Sequence, residues 1–206
     1  EVDIRLKINT NVVAESLTLC ICSHLSHKIT QTIKALSFEI PMKMRRPRIS
    51  VVVSCYNKSR TIEDCVTSIL RQEFNDMEAI VVDDGSTDGS LQTVERLGAH
   101  SALNVIREEH RGISATKNRG FEASKGNVVL FLDGDCILEQ GSLRELDRSF
   151  QGNVVDCVGG EVRATNSSNM IAQTVELMQN EVDRKWPFGA NVAYSRKALD
   201  KAGLFD

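Results

Sequence analysis

Residues 127 to 136 read NVVLFLDGDC, an apolar run that ends in two aspartates separated by one glycine. The run from Val128 to Leu132 is suited to a strand that is buried within a sheet. Because an unpaired carboxylate is costly to bury, Asp133 and Asp135 should lie at the exposed carboxyl end of that strand. The stretch therefore predicts a buried strand that delivers two carboxylates to one edge of a sheet.

Strand and helix patterns alternate along the chain before this stretch. Short runs rich in β-branched residues predict strands at 49–53, 79–82 and 103–106. Helical periodicity predicts helices over 61–70, 91–97 and 112–124, the first of them opened by a capping box from Thr61 to Asp64. This alternation predicts an α/β fold, with a mostly parallel Rossmann-like sheet and helices on both of its faces.

Polar clusters follow three of the four predicted strands. SCYN (54–57) follows the first strand, DDGS (83–86) the second and DGD (133–135) the fourth. Any one cluster would also fit an ordinary turn. However, the carboxyl ends of parallel strands meet at one crevice, where α/β proteins bind their ligands. Three clusters at that edge therefore predict a ligand site.

The residue types in the clusters indicate which ligand this would be. No basic residue lies near Asp133 and Asp135 in sequence, and such paired carboxylates suit Mg²⁺ or Mn²⁺ that also binds phosphate oxygens. Tyr56 offers an aromatic face for a base, whereas Lys117 and Arg119 supply positive charge for phosphates. Neither GxxxxGK[ST] nor a GxGxxG after the first strand is present, which disfavours a P-loop or a dinucleotide fold. The pattern predicts a metal-bound nucleoside diphosphate.

Bulk properties narrow the partners and the location. The net charge is -3 and no run of basic residues exceeds the pair Arg45-Arg46, so nucleic acid is not expected as a partner. No apolar stretch approaches the roughly 20 residues that span a bilayer, and no signal peptide opens the chain. We therefore expect a cytoplasmic protein, with peripheral association at a membrane surface left open.

The character of the chain changes near residue 47. Up to Pro47 there are seven Lys or Arg against four Asp or Glu, whereas the rest has 18 against 24. The strong strand pattern also begins just after this point. We therefore predict an N-terminal extension over residues 1–44 and a domain over residues 45–206.

Four blocks of the sequence carry a family resemblance. RPRISVVVSCYNKSRTIEDCVTSILRQ, EAIVVDDGSTDGS, HRGISATKNRGFEASKGNVVLFLDGDC and PFGANVAYSRKAL resemble, in order, the blocks of family 2 glycosyltransferases with the GT-A type fold. The resemblance implies transfer of a sugar from a nucleotide-diphosphate sugar donor to an acceptor hydroxyl of a saccharide, lipid or protein glycan. It also implies metal dependence and inversion at the sugar carbon.

The resemblance further implies roles for individual residues. Lys117 stands near the phosphates where the family usually has Arg, which keeps the charge but not the bidentate fork. Asn191 borders the side of the acceptor and donor sugar. The nucleoside contacts would be Ser54, Tyr56 and Asp84 with Asp83 behind it, and the metal ligand would be Asp135, helped by Asp133.

The general base of the family lies after a segment that resembles residues 198–206, so we expect it beyond Asp206, which would leave the domain incomplete at its C-terminus. Glu181 and Asp206 are carboxylates outside any block resembling the base motif. Two alternatives follow: a truncated, non-catalytic module that binds nucleotide sugars, and a nucleotidyltransferase. The latter is disfavoured because SCYNKSR replaces the glycine-rich basic loop expected after the first strand.

Overall fold

A computed structural model describes residues 4–7, 46–98, 103–152, 154–164 and 189–206, with the backbone alone for Ile4–Lys7. Most of the predicted extension and Glu181 therefore lie outside the described residues. The elements in chain order are β1 (Ile4–Lys7), β2 (Ile49–Cys55), α1 (Ile62–Leu70), β3 (Met77–Asp84), α2 (Ser90–Leu97), β4 (Leu103–Glu108), α3 (Ile113–Ala123), β5 (Val128–Asp133), β6 (Cys136–Leu138), α4 (Ser142–Ser149), β7 (Cys157–Gly159), β8 (Glu161–Ala164), β9 (Asn191–Ser195) and α5 (Arg196–Ala202).

The larger sheet has six strands in the order β4-β3-β2-β5-β9-β7. Strands β4, β3, β2 and β5 are parallel, and β9 pairs antiparallel with both β5 and β7. All seven residues of β2 are buried, as expected for a central strand that is covered on both faces. The predicted order of strands and helices from Ile49 to Asp133 is confirmed, with strand ends one to two residues longer than expected.

Helices cover both faces of this sheet, as the fold class predicts. Val51 and Val53 belong to a core cluster with residues of α1, α2 and α4, among them Ile62, Val94 and Leu143. Val52 points to the other face, where a second cluster includes Phe121 of α3, Leu199 of α5 and Phe131 of β5. The alternation along β2 therefore divides the hydrophobic core between the two faces. No helix within the described ranges is long and apolar enough to span a membrane.

A second, three-stranded sheet has the order β6-β1-β8. Strand β1 pairs parallel with Cys136–Leu138 and antiparallel with Glu161–Ala164, so it lies in the middle. The division of the chain at residue 44 did not foresee this pairing, because Ile4–Lys7 was predicted to belong to a separate extension. The backbone groups of these four residues instead complete a sheet whose strand β6 begins directly after Asp135.

We expect deletion of residues 1–10 to destabilise the domain, since it removes the middle strand of this sheet. The backbone bonds of a four-residue strand with two neighbours justify a loss of about 2 kcal/mol, or about 4–8 °C in the thermal midpoint. Differential scanning calorimetry of the shortened and full chains measures this. An unchanged midpoint would instead support the predicted independence of residues 1–44.

Candidate functional site

Three parallel strands bring their polar clusters to one edge of the six-stranded sheet. In the strand register, Ser54 of β2 lies opposite Val82 of β3 and Asp133 of β5. Asp83 follows Val82 and lies opposite Cys55. The carboxyl ends of β3, β2 and β5 are therefore neighbours, and Ser54, Asp83 and Asp133 lie at nearly the same level.

Buried polar atoms without a hydrogen-bond partner concentrate at this edge. Over the described ranges, such atoms are Ser54 Oγ, Asp83 Oδ1, Asp133 Oδ1 and Asn191 Nδ2. Each lies at the end of β2, β3 or β5, or at the start of β9, which pairs antiparallel beside β5. A buried polar group without a partner costs free energy, so the gathering of four such groups at one edge marks a place that is suited to a polar ligand.

The two aspartates after β5 each have a lysine beside them. Lys58, from the loop after β2, forms an ion pair with Asp135 Oδ2, and Lys117 Nζ of α3 lies 3.8 Å from Asp133 Oδ1. No basic residue lies near the aspartates in sequence, so it is the tertiary structure that brings both lysines to them. Two carboxylates and two ammonium groups therefore balance one another at the sheet edge.

Burial and charge shift the pKa values of this group. Burial raises the pKa of Asp133; the charge of Lys117 lowers it and that of Asp135 raises it. Burial opposes the charged form of Lys58, yet the hydrogen bond and charge of Asp135 leave the pKa of Lys58 above its ordinary value. The positive charge of Lys58 is thus held in place by the same carboxylate that was predicted to bind metal.

The segment between the aspartates is supported by α1. The predicted capping box is wrong, because the Thr61 side chain accepts no hydrogen bond from the backbone of its helix. The Thr61 hydroxyl instead donates to the carbonyl oxygen of Gly134 at 3.0 Å. Gly134 also donates its backbone N–H to the carbonyl oxygen of Ser54 at 2.9 Å. These bonds fix the turn that carries Asp133 and Asp135.

An aromatic platform lies at the end of β2. Tyr56 is 43% exposed, and its ring stacks on His110 with a centroid distance of 4.1 Å and an angle of 20°. His110 Nδ1 lies 2.9 Å from Asp84 Oδ2. Sequence reasoning missed His110 as part of this group, although it opens the block HRGISATKNRG. The stacked pair offers a surface that is suited to a planar base.

Asp83 and Asp84 are both buried, although each was predicted to contact the nucleoside. The Asp84 carboxylate is buried and accepts backbone N–H bonds from Arg111 at 2.8 Å and Gly112 at 3.0 Å. The Asp84 carboxylate therefore fixes the loop before α3 and pairs with the His110 ring. Asp83 Oδ2 accepts from the backbone N–H of Ser86 at 3.0 Å, which leaves Oδ1 unpartnered. Direct contact of either residue with a nucleoside stays a prediction.

The remaining predicted residues differ in their placement. Lys117 faces the carboxylate pair and donates to the carbonyl oxygen of Gly189 at 3.0 Å. Asn191 is 1% exposed, so it lies beneath the crevice surface. Arg119 binds Glu108 at 2.7 Å and lies 3.7 Å from Glu122. Its charge is therefore engaged with carboxylates of β4 and α3, and a place beside the phosphates stays a prediction.

The carboxylates fit a divalent cation that shares its coordination with a ligand. No group of three or more His, Cys, Asp or Glu that could hold a metal occurs in the part of the chain that the structure describes. Mg²⁺ and Mn²⁺ often use one or two carboxylates together with substrate phosphates and water. Asp133 Oδ1, buried and without a hydrogen bond, is one oxygen suited to such an ion.

Comparison with known proteins supports a common family. The family model described as Glycosyl transferase family 2 matches residues 50–203. Glycosyltransferase AglE of Haloferax volcanii is 35% identical over 188 residues, covering 75% of this chain and 62% of that protein. EpsJ of Bacillus subtilis, an uncharacterized glycosyltransferase, is 34% identical over 114 residues, covering 55% of this chain and 33% of that protein. The chain thus spans less than two thirds of the length of either relative.

A solved structure agrees with the arrangement of strands and helices. The mannosyltransferase PcManGT of Pyrobaculum calidifontis, solved in complex with GDP-Man and Mn²⁺, superposes with a TM-score of 0.63. It is 25% identical, and the match covers 79% of this chain and 48% of that one. The family model alone covers about three quarters of the residues. The chain therefore belongs to glycosyl transferase family 2 and has the GT-A type fold.

Proposed function

We propose that the chain transfers a sugar from a nucleoside-diphosphate sugar to an acceptor hydroxyl, with Mg²⁺ or Mn²⁺ held by Asp133 and Asp135. The observation that carries this proposal is the meeting of an exposed aromatic platform and a carboxylate pair at one sheet edge. Unpartnered polar atoms lie at the same edge. Membership of glycosyl transferase family 2 supports this chemistry.

The donor nucleoside would bind against the exposed ring of Tyr56, with His110 fixing the orientation of that ring. Ser54 Oγ and Asp83 Oδ1, both buried and without partners, lie beneath this position at the ends of β2 and β3, where a bridging water would join them to a ribose or base. Lys117 would place its ammonium group beside the diphosphate. The GDP-Man and Mn²⁺ bound by the related mannosyltransferase PcManGT support a donor of this class.

The carboxylate pair would act on the leaving group. A divalent cation held there would supply positive charge that stabilises the leaving diphosphate. Asp133 and Asp135 would hold that ion. The hydrogen bond that Gly134 accepts from Thr61 and the one that it donates to Ser54 keep the two carboxylates in position. Lys117 lies beside Asp133 and would add a further positive charge next to the diphosphate.

A base must take the proton of the acceptor hydroxyl, and inversion requires attack from the face opposite the leaving diphosphate. Asp88 lines a cavity with Asp135, but it is unsuited to this role. Slight burial opposes ionisation, yet hydrogen bonds from Ser90 and Ser59 lower the pKa of Asp88 to about 2. Such a weak base accepts a proton poorly at neutral pH. The expected position of the base beyond Asp206 stays a prediction.

Isothermal titration calorimetry with GDP and with UDP, each in Mn²⁺ and in EDTA, tests the proposed donor site. We expect one of the two to bind in Mn²⁺ and to lose at least about tenfold in affinity in EDTA, since an ion held by Asp133 and Asp135 would supply positive charge to the diphosphate. Absence of binding by both nucleotides, or binding that EDTA leaves unchanged, would contradict the proposal. If a nucleotide binds, a measurement of sugar transfer or of donor hydrolysis would distinguish an enzyme from a binding module.

A further inference from the structure

The Lys58 ammonium group contacts an oxygen of Asp135 that a bound metal ion would also use. Its Nζ donates to Asp135 Oδ2 in an ion pair whose side chains are 34% and 30% exposed, so the pair sits in the crevice wall. Nothing in the family resemblance assigns a role to this lysine. A cation of the chain itself thus contacts a carboxylate predicted to bind a divalent ion.

The backbone of Lys58 is fixed, so its outer side chain is the part that can move. Its N–H donates to Ser90 Oγ at 2.7 Å, and its carbonyl oxygen accepts from Thr61 and Ile62 at 3.0 and 2.9 Å. The stem lies beside Gly134, where an added Cβ would come within 3.4 Å of Lys58 Cγ. The base of the side chain is therefore anchored beside the aspartates, and only its outer part, which carries the ammonium group, can change position.

Space for movement exists next to the ion pair. A cavity of about 350 Å³ is lined by Lys58 and Asp135 together with Asn57, Ser59, Arg60, Thr61 and Asp88. Five of these seven residues belong to the segment between β2 and α1. The cavity is large enough for the end of a lysine side chain to swing away from the carboxylate.

We propose that Lys58 is a resident counter-ion that competes with the divalent cation for Asp135 and couples metal binding to donor binding. This inference rests on the proposed donor site. An ammonium group and a divalent ion on the same carboxylate repel each other, so metal alone must displace Lys58 from its partner. A diphosphate gives the displaced ammonium group a new anionic partner, which favours the exchange.

Linkage makes this coupling reciprocal. If GDP or UDP strengthens Mn²⁺ binding by some factor, Mn²⁺ strengthens nucleotide binding by the same factor. The unaltered chain should bind Mn²⁺ weakly in the absence of nucleotide. It should bind Mn²⁺ much more tightly when nucleotide is present. Lys58 therefore weakens the binding of a metal ion to the carboxylates until the donor arrives.

The test compares Lys58→Met with the full unaltered chain by electron paramagnetic resonance of free Mn²⁺, with and without GDP or UDP. Methionine keeps an unbranched stem beside Gly134 and removes the charge. We expect Mn²⁺ alone to bind at least about fivefold more tightly to the variant, and the strengthening by nucleotide to shrink by a similar factor. Lys58→Gln provides a second uncharged variant.

Two controls separate competition from a general charge effect. Lys58→Arg keeps a cation in place and should retain weak Mn²⁺ binding. Lys125→Met removes one exposed charge after α3 and should also leave Mn²⁺ binding unchanged. Unchanged or weaker Mn²⁺ binding by both uncharged variants, with circular dichroism showing a native fold, would overturn the role of Lys58. The arm with Mn²⁺ alone decides this even if no nucleotide binds, an outcome that would contradict the proposed function instead.

Discussion

Asp135→Asn is expected to lower the affinity for GDP or UDP in Mn²⁺ by about 100-fold, which corresponds to about 2.7 kcal/mol. The amide removes the charge that holds the divalent ion while it keeps the size of the side chain. It also leaves Lys58 without its ion-pair partner. Binding in EDTA should therefore stay the same or improve, because the Lys58 ammonium group then faces the phosphates alone.

Calorimetry in Mn²⁺ and in EDTA measures this change, and the difference between the two conditions is the decisive quantity. The Asp135 side chain is about one third exposed, so the substitution should alter the free energy of unfolding little. Asp200→Asn, a matched change on the exposed surface of α5, should leave all nucleotide affinities as they are. A variant whose nucleotide binding remained sensitive to EDTA would exclude Asp135 as a metal ligand.

The four parallel strands could be predicted from the sequence because each has a recognisable local pattern of residues. Residues 49–53 and 128–132 are apolar runs of strand length, and a strand covered on both faces needs that composition whatever its neighbours are. Helical spacing between the runs then implied right-handed crossovers and one shared edge. Local pattern and general topology were enough for this half of the fold.

The short strands could not be predicted in the same way. Cys136–Leu138 and Cys157–Gly159 have three residues each, which is too few for a period of two to be recognised. Ile4–Lys7 pairs with residues more than 125 positions away, so no local pattern identifies its partners. The antiparallel direction of β9 likewise follows from a pairing that only the tertiary structure reveals.

The candidate site shows the same division. Strand ends placed Ser54, Asp83 and Asp133 at one edge, because parallel pairing requires it. The partners of the aspartates escaped prediction, because Lys58 and Asp135 are 77 positions apart and meet only through the pairing of β2 with β5. Searching the ends of paired strands for opposite charges, rather than sequence neighbours, would have identified Lys58.

Phe131→Ala is expected to destabilise the domain by about 3–5 kcal/mol, the range for removing a fully buried aromatic ring. Phe131 is fully buried in the cluster that joins α3 and α5 to the sheet. Its ring centroid lies 5.2 Å from that of Phe205 and 6.3 Å from that of Tyr194, both in edge-to-face contact. The thermal midpoint should fall by roughly 6–20 °C in calorimetry.

The upper part of that range is expected because the cavity has little freedom to collapse. Asn118 binds the backbone of Phe205 twice, donating to its carbonyl oxygen at 2.8 Å and accepting from its N–H at 2.9 Å. Phe205 therefore cannot follow a shrinking side chain without breaking those bonds, and the cost of a cavity grows with its residual volume. Phe131→Leu, which refills most of the space, should cost less than about 1.5 kcal/mol. If alanine and leucine lowered the midpoint equally, packing around Phe131 would not be what stabilises this face of the sheet.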